Sequence, residues 1–406
     1  MLQIFKMAFR DLGRNRRRTF FSALAVAIGL ALLMLMSSVI NGEMGNAIRS
    51  AILLQSGHIQ IRSTTYDANK SSLKWEDLVE NPDQLAGQIA TLPQVKAATP
   101  RLFASGFLST GDESAGVQIY GVDPNSSAND PYRQGLLSGD FLTADDRAGI
   151  LIGQPAADKL HLKAGDQVSL SVNTSNGDVL EQTFTVRGIF TTNTYAFDNA
   201  TIFMPLAKAQ AITQTENHAS TIFVLLNKDS DTDSVVTALK VAPNLEILTW
   251  RDLNSLFVEF ETMANSYIAF FYMIILAITA SVIINTLIMS VYERTREIGI
   301  LSAIGMRGGR ILWLFLTESS LLAVGGVIMG WLLGYGAIAW FNVSGFYIGN
   351  MGLSGMLVSN TIYAEPAMND IVSVTIMTFV VTLLSGLYPA VTASRLEPVA
   401  ALRAEK

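Results

Sequence analysis

"VYERTREIGILSAIGMRGGR", residues 291–310, packs six charges into twenty residues and stands between two stretches that water rejects. On its N-terminal side, residues 267–291 run 25 positions without a charge; on its C-terminal side, residues 311–341 carry one, Glu318, near their start. Two more apolar runs complete the pattern, 19–40 and 371–392, each 22 residues long and free of charge. About 20 apolar residues cross a hydrocarbon core, so four transmembrane helices are predicted. The run 311–341 has 31 residues at about 1.5 Å each, more than a bilayer core of about 30 Å, so it must tilt, protrude or bend.

Composition agrees with a membrane protein. Half of the 406 residues are hydrophobic and only 15% are charged, with a positive mean hydropathy. No Cys is present, which removes disulfides, thiolate catalysis and Cys-based metal sites and is compatible with an oxidising compartment. The run 19–40 is longer than a signal-peptide core of about 7–15 residues, and no small-residue cleavage site follows it, so it reads as a retained anchor.

Orientation follows from Lys and Arg near the span ends. Residues 1–18 hold six, 292–310 hold four, the tail after 392 holds three and 342–370 hold none. The positive-inside rule places both termini and 292–310 in the cytoplasm of a multi-pass cell (inner) membrane protein, and 342–370 outside. Residues 41–265 then form a large external domain with 15 basic and 26 acidic residues, a balance of −11. Such a surface argues against nucleic acid as a partner and reads as solvated.

Within that domain short strands alternate with helices. Strand patterns occur at "GHIQIRS" (57–63), "VQIYGV" (117–122), "AGILIG" (148–153), "AGDQVSLSV", "TFTVRGIF", "ATIFMP", 220–226 and 244–249. Helices are predicted at 81–92, 205–214, 231–240 and 251–264, the last running directly into the second span. The fold class is therefore an α-helical membrane protein of four transmembrane helices, with a large extracytoplasmic α+β domain of two subdomains inserted between helices 1 and 2. The predicted segments are 1–18 basic N-terminus, 19–40 helix 1, 41–265 external domain, 266–291 helix 2 and 292–310 cytoplasmic connection. They continue as 311–341 helix 3, 342–370 external loop, 371–392 helix 4 and 393–406 tail.

Catalytic chemistry is hard to find. No Lys follows a Gly, so there is no Gly-Lys-Ser/Thr phosphate loop. His58, His161 and His218 are dispersed and form no zinc-binding helix pattern, so no metal site is predicted. "GFLSTG" (106–111) has the wrong spacing for a nucleophile elbow and lies in a strand-like stretch. No catalytic residue is assigned, and the chain is not read as an enzyme.

The connection itself reads as a short amphipathic helix. Glu293 and Glu297 are placed near a helix N-terminus, where the macrodipole favours carboxylates, with Arg294 and Arg296 within pairing distance. Ile298, Leu301 and Ile304 recur at spacing three with Ile300 beside them, and Gly305 offers a stop. Two readings stay open on the residues alone: a docking ridge for a partner groove, or an anchor dipping into lipid. In the third span Gly326, Gly330 and Gly334 make a small-residue face for helix packing, within one subunit or across a dimer. Glu318 is an intramembrane or near-interface carboxylate, a functional candidate read as an interhelical hydrogen-bonding group ahead of a proton-coupling one.

The string "VYERTREIGILSAIGMRGGRILWLFLTESSLLAVGGVIMGWLLG" resembles the FtsX-like permease module of macrolide-exporter (MacB-like) and lipoprotein-releasing (LolC/LolE-like) ABC transporter subunits. "RDLGRNRRRTFFSALAVAIGLALLM", "GVDPNSS…LLSGDFL…ILIGQPAADKLHLKAGDQVSL…FTVRGIF" and "PAVTASRLEPVAALRAE" resemble other parts of the same pattern. The resemblance implies a dimeric four-span permease working with a separate ATPase dimer that binds ATP and Mg, none of which this chain binds. It also implies a second permease copy, like or unlike, contact with membrane lipid, and a periplasmic carrier or adaptor as an open question. By the same resemblance, Glu293, Arg294, Arg296, Glu297, Ile298, Gly299, Leu301 and Gly305 face the ATPase as a coupling helix, and ATP-driven tilting of the spans moves the external domain. "SSVINGE" and "SGHIQIRS" are similar to the lipoprotein-releasing branch, whereas "ERTREIG" is nearer the exporter branch. The Pro-containing hook of LolC-like members has no counterpart in "SVNTSNGDVLEQ". The functions implied are release of a lipoprotein or other amphipathic substrate, export of small molecules or peptides with an adaptor, or regulation of an external hydrolase.

Overall fold

The computed structural model describes residues 2–14, 16–67, 69, 73–111, 113–347 and 360–397. Residues 348–359 of the expected external loop and 398–406 of the expected tail, including much of "RLEPVAALRAE", lie outside the described residues. The chain divides into two compact units, one of 1–44, 261–346 and 362–406, the other of 45–260 and 347–361.

The first unit is helical: α1 (Leu2–Arg14), α2 (Arg16–Ser50), α3 (Ser255–Glu293), α4 (Thr295–Ala303), α5 (Gly308–Ser344) and α6 (Met368–Ser394). Four helices, Arg16–Ser56, Glu259–Glu293, Gly308–Ser344 and Met368–Ser394, are long and apolar enough to cross a membrane. Their apolar residues run all round the cylinder rather than along one stripe. One side fills a core in which Leu30, Leu33 and Met34 meet Leu276, Ile338, Ile371 and Val374. The other side leaves Phe270, Met273, Ile278, Leu332, Trp340 and Leu384 exposed. Exposed apolar area on this scale is unusual in water-facing proteins.

Most of the second unit lies between α2 and α3 in chain order, with 347–361 added from after α5. Its sheet comprises β1 (Ile59–Ser63), β2 (Val95–Thr110), β3 (Glu113–Val122), β4 (Leu136–Gly139), β5 (Gly149–Gly153), β6 (Gln167–Asn173), β7 (Val179–Phe190), β8 (Thr201–Pro205), β9 (Thr221–Leu226) and β10 (Leu245–Thr249). The order is β10-β1-β9-β2-β3-β8-β5-β7-β4, with β6 bridging β2 and β7. The pairs β3·β8 and β5·β7 are parallel and the others antiparallel. Period-two alternation splits the central strands between two cores: Leu102, Ala104, Val117, Ile119, Ile150, Ile152, Ile202 and Met204 point one way, Tyr120, Val122, Leu151 and Phe203 the other. Burial on both faces is what makes β5, β8 and β9 read as continuous apolar runs.

β2 is the longest strand, and no expectation covered its full length. Its sequence "VKAATPRLFASGFLST" is rich in Ala, Ser, Gly and Pro, residues with little intrinsic preference for strands. Pairing along β9, β3 and β6 holds it extended.

The helix expected at 251–264 is in fact broken. Thr249 and Asp252 form a reciprocal capping box that opens the short helix Trp250–Leu253, and the Asn254 side-chain amide donates to the Trp250 carbonyl at 2.8 Å, closing it before α3 begins. His58 is buried in the same unit, accepting the Leu226 N–H on Nδ1 at 3.2 Å and facing Asp229 Oδ1 through Nε2 at 2.5 Å. Both ring nitrogens are thus engaged within the sheet unit, a packing role.

Candidate functional site

The connection between α3 and α5 is tied down by charge. α3 extends through Glu293, so this carboxylate sits at a helix C-terminus, not at the N-terminus expected from spacing. That end of a helix is electrostatically unfavourable for an anion. The compensation comes from the start of α2: Arg18 Nη1 lies 2.6 Å from Glu293 Oε2, and Arg18 Nη2 donates to Ser290 Oγ at 2.8 Å. Arg294 breaks the helix and becomes the N-cap residue of α4, leaving Glu297 in the first turn, where the dipole does favour it.

Arg294 is the hub. Its Nη2 contacts Asp11 Oδ2 of α1 at 2.5 Å, its Nε contacts Glu297 Oε2 at 3.3 Å, and its Nη1 lies 3.6 Å from Glu318 Oε2 of α5. Arg14 Nη2 adds a second contact to Glu297, at 2.6 Å. The Arg294 side chain is 11% exposed, Asp11 9% and Glu318 3%, so three charges sit away from water and depend on one another. Glu318 thus lies within ion-pair distance of the connection, reaching from α5 to the N-cap residue of α4. Partial burial pushes the Glu297 carboxyl upward, but hydrogen bonds and charges from Arg14 and Arg294 outweigh it and hold the group below its ordinary value. A depressed carboxyl stabilises the fold above its unfolded pKa, and that contribution is lost as pH falls through the folded value.

Removing the hub should be costly. Arg294→Ala strands two buried carboxylates, which typically costs about 3–5 kcal/mol. A lowered melting temperature in detergent is expected, largely restored when Glu318→Gln and Asp11→Asn are added; undiminished stability of the single variant would show the cluster to be inert.

α4 ends on Gly305. Its φ of +99° is a conformation that suits glycine, the Gly305 N–H donates to Ser302 O at 3.0 Å and the Met306 N–H to Leu301 O at 3.0 Å. This is a Schellman stop, with Leu301 in the last turn and Met306 partly buried beyond it.

The apolar face of α4 is not the ridge expected from spacing three. Ile298 and Gly299 are buried, Ile298 against Val291, Ile311, Phe315 and Ala390, and Leu301 is half-buried. Side chains left outward and unpaired are Arg296, Ile300 and Ile304 on α4, at spacing four, with Ile304 80% exposed, and Tyr292 at the end of α3; Glu293 and Glu297 are also exposed but paired. Among the described residues Arg296 has no ion-pair partner. Of the eight residues expected to face outward, Glu293, Arg294 and Glu297 are engaged within the chain, because α1 and the start of α2 supply complementary charges.

Asp11, Arg14 and Arg18 were legible only as charges of the N-terminal segment; Asp11 and Arg14 share a face of α1 at spacing three, and Arg18 comes from the first turn of α2. The glycine face is resolved too. A Cβ on Gly326 would meet Val26 at 2.6 Å, one on Gly330 would meet Leu30 at 3.0 Å, and one on Gly334 would meet Met34 Sδ at 2.8 Å. All three glycines thus receive α2 of the same chain, which favours the packing-within-one-subunit alternative.

Comparison with known proteins bears on the whole chain. Residues 19–242 match the MacB-like periplasmic core domain and residues 269–398 the FtsX-like permease C-terminal domain. The chain belongs to the family of the MacB-like periplasmic core domain, the longer of the two matches, and carries an FtsX-like permease module after it. Relatives of this ABC transporter permease family include the lipoprotein-releasing system transmembrane protein LolC of Neisseria meningitidis serogroup B, 22% identical over 95% of this chain and 94% of its own length. LolE of the same system in Haemophilus influenzae is 24% identical over 94% of this chain and 93% of its own. The macrolide export ATP-binding/permease protein MacB of Shewanella sp. (strain W3-18-1) is 24% identical over 100% of this chain but only 61% of its own length.

Proposed function

We propose that this chain is the membrane-embedded permease subunit of an ABC transporter, coupling ATP hydrolysis by a separate ATPase to movement of its extracytoplasmic domain. The helices α2, α3, α5 and α6 cross the membrane with both termini and the 294–307 connection in the cytoplasm, and the sheet unit outside. Support comes from the exposed apolar surface of these helices and from the Lys/Arg bias. The observation that carries the coupling role is the Arg294 cluster. One guanidinium ties α4 to α1 through Asp11 and to α5 through Glu318, so a load on the outward Tyr292–Arg296–Ile300–Ile304 stripe is delivered to spanning helices. ATP and Mg bind the partner ATPase, and the permease pairs with a second copy, like or unlike.

The substrate proposed is a lipoprotein or another amphipathic molecule taken from the outer leaflet. Two subdomains of the external domain are proposed around separate cores, one on β1, β9 and the helices Pro82–Ala90 and Thr232–Ala238, the other on β3, β5, β7 and β8. One observation favours the exporter-like alternative, with an adaptor in place of a lipoprotein carrier. The β6–β7 connection is a tight turn, with Thr174 N–H donating to Asp178 O at 2.8 Å and Gly177 at φ +89°, and offers no projecting hook.

Purifying the full chain from its native membrane with bound partners and identifying them by mass spectrometry tests both points. A nucleotide-binding subunit together with a lipidated species is expected. An ATPase stimulated by an external protein, with no lipidated species bound, would overturn the lipoprotein reading and favour an adaptor or hydrolase.

A further inference from the structure

The end of α1 and the start of α2 present four arginines, Arg14, Arg16, Arg17 and Arg18, and they line a hollow of about 660 Å³ together with Gly13 and Glu293. Arg14 and Arg18 are committed to Glu297 and Glu293. Arg16 and Arg17 are exposed; Arg16 Nε donates to the Gly13 carbonyl at 3.3 Å, and among the described residues neither has a carboxylate partner. Four guanidiniums against one carboxylate leave the wall at a formal charge of +3. The planar fork of a guanidinium matches phosphate oxygens two at a time, and basic hollows beside spanning helices bind anionic headgroups.

The surroundings distinguish a lipid from a soluble anion. Immediately past the arginines the charge-free run of α2 begins, and Phe20 and Phe21, with Phe9 on α1, are 51%, 64% and 65% exposed. Exposed phenylalanine rings beside an apolar span suit the acyl chains of a lipid and not water. We propose that this hollow binds the phosphate of an anionic phospholipid of the inner leaflet, with Arg16 and Arg17 as its principal donors. Because Arg14 and Arg18 share the wall, the bound phosphate competes with Glu297 and Glu293 for them, linking headgroup occupancy to the anchoring of α4. The inference rests on the membrane placement of α2 and not on the identity of the ATPase or substrate.

The test uses the full chain in neutral detergent, titrated with phosphatidylglycerol, phosphatidylcholine or inorganic phosphate and read by native mass spectrometry and melting temperature. Phosphatidylglycerol should bind at least about tenfold more tightly than phosphatidylcholine, and Arg16→Gln with Arg17→Gln should remove about that preference, given the attraction each cation contributes near a charged surface. Arg10→Gln, outside the hollow, should leave it unchanged. Equal retention of both lipids, or undiminished phosphatidylglycerol binding by the double variant, overturns the site; protection by inorganic phosphate equal to that by phosphatidylglycerol overturns the lipid assignment. Recovery of the chain from the aqueous fraction without detergent would instead overturn the membrane placement itself.

Discussion

Replacing Ile300 and Ile304 together with Asp should weaken the complex with the partner ATPase by about a hundredfold or more while leaving the chain's own fold intact. The two isoleucines are 44% and 80% exposed and sit one turn apart on the outward stripe of α4, so neither is needed for the helix packing that buries Ile298. Apolar anchors central to an interface commonly cost about 2 kcal/mol or more each when lost, and about 2.7 kcal/mol is a hundredfold in affinity. Ile298→Asp is the informative contrast. It places a charge in the core beside Phe315 and should lower the melting temperature as well as the ATPase yield. Normal co-purification of the ATPase with the Ile300/Ile304 double variant would remove the stripe from the coupling surface.

A second large effect is expected inside the helical unit. Gly330→Leu adds a four-carbon side chain where even a Cβ lies 3.0 Å from Leu30 and 3.1 Å from the Ala27 carbonyl oxygen. The backbone of α2 cannot yield as a side-chain tip can, so α2 and α5 must separate; forced overpacking costs about 1–3 kcal/mol even in forgiving cores. A loss of folded material in detergent, or a melting temperature lowered by several degrees, is the expected result. Gly336→Leu, on the same helix but with nothing within 4 Å of its Cβ, should behave as wild type. Equal behaviour of the two variants would mean that α2 does not rest on this glycine face.

What could be read in the sequence followed physical range. The four long apolar helices and most strands were legible because burial imposes a local pattern: residues 150–152 and 202–204 are apolar throughout since both faces of the sheet are covered. β2 was not legible along its full length, because its extended form is held by partners up to 131 residues away, as in the register Leu226 to Val95. The same distinction governs the candidate site. Gly305 as a stop needs only its neighbours, and the hydrogen bonds of α4 end there. The outward face of α4 depends on Asp11, Arg14 and Arg18, some 280 positions earlier, which engage Arg294, Glu297 and Glu293 and so commit charges that spacing alone leaves free for a partner. Spacing proposed Glu293 at a helix start; the break at Arg294 moved it to a helix end.

The central claim is that the outward face of α4 seats an ATPase. The chain contains no Cys, so Ile304→Cys gives a single labelling site on a surface that is 80% exposed. A photo-crosslinker carried by that cysteine in native membranes should join the chain to a nucleotide-binding subunit bearing a Gly-Lys-Ser/Thr phosphate loop, identified by mass spectrometry, with the adduct reduced by Ile300→Asp. Adducts to lipid alone, with no nucleotide-binding subunit among the products, would contradict it and return α4 to the role of a membrane anchor.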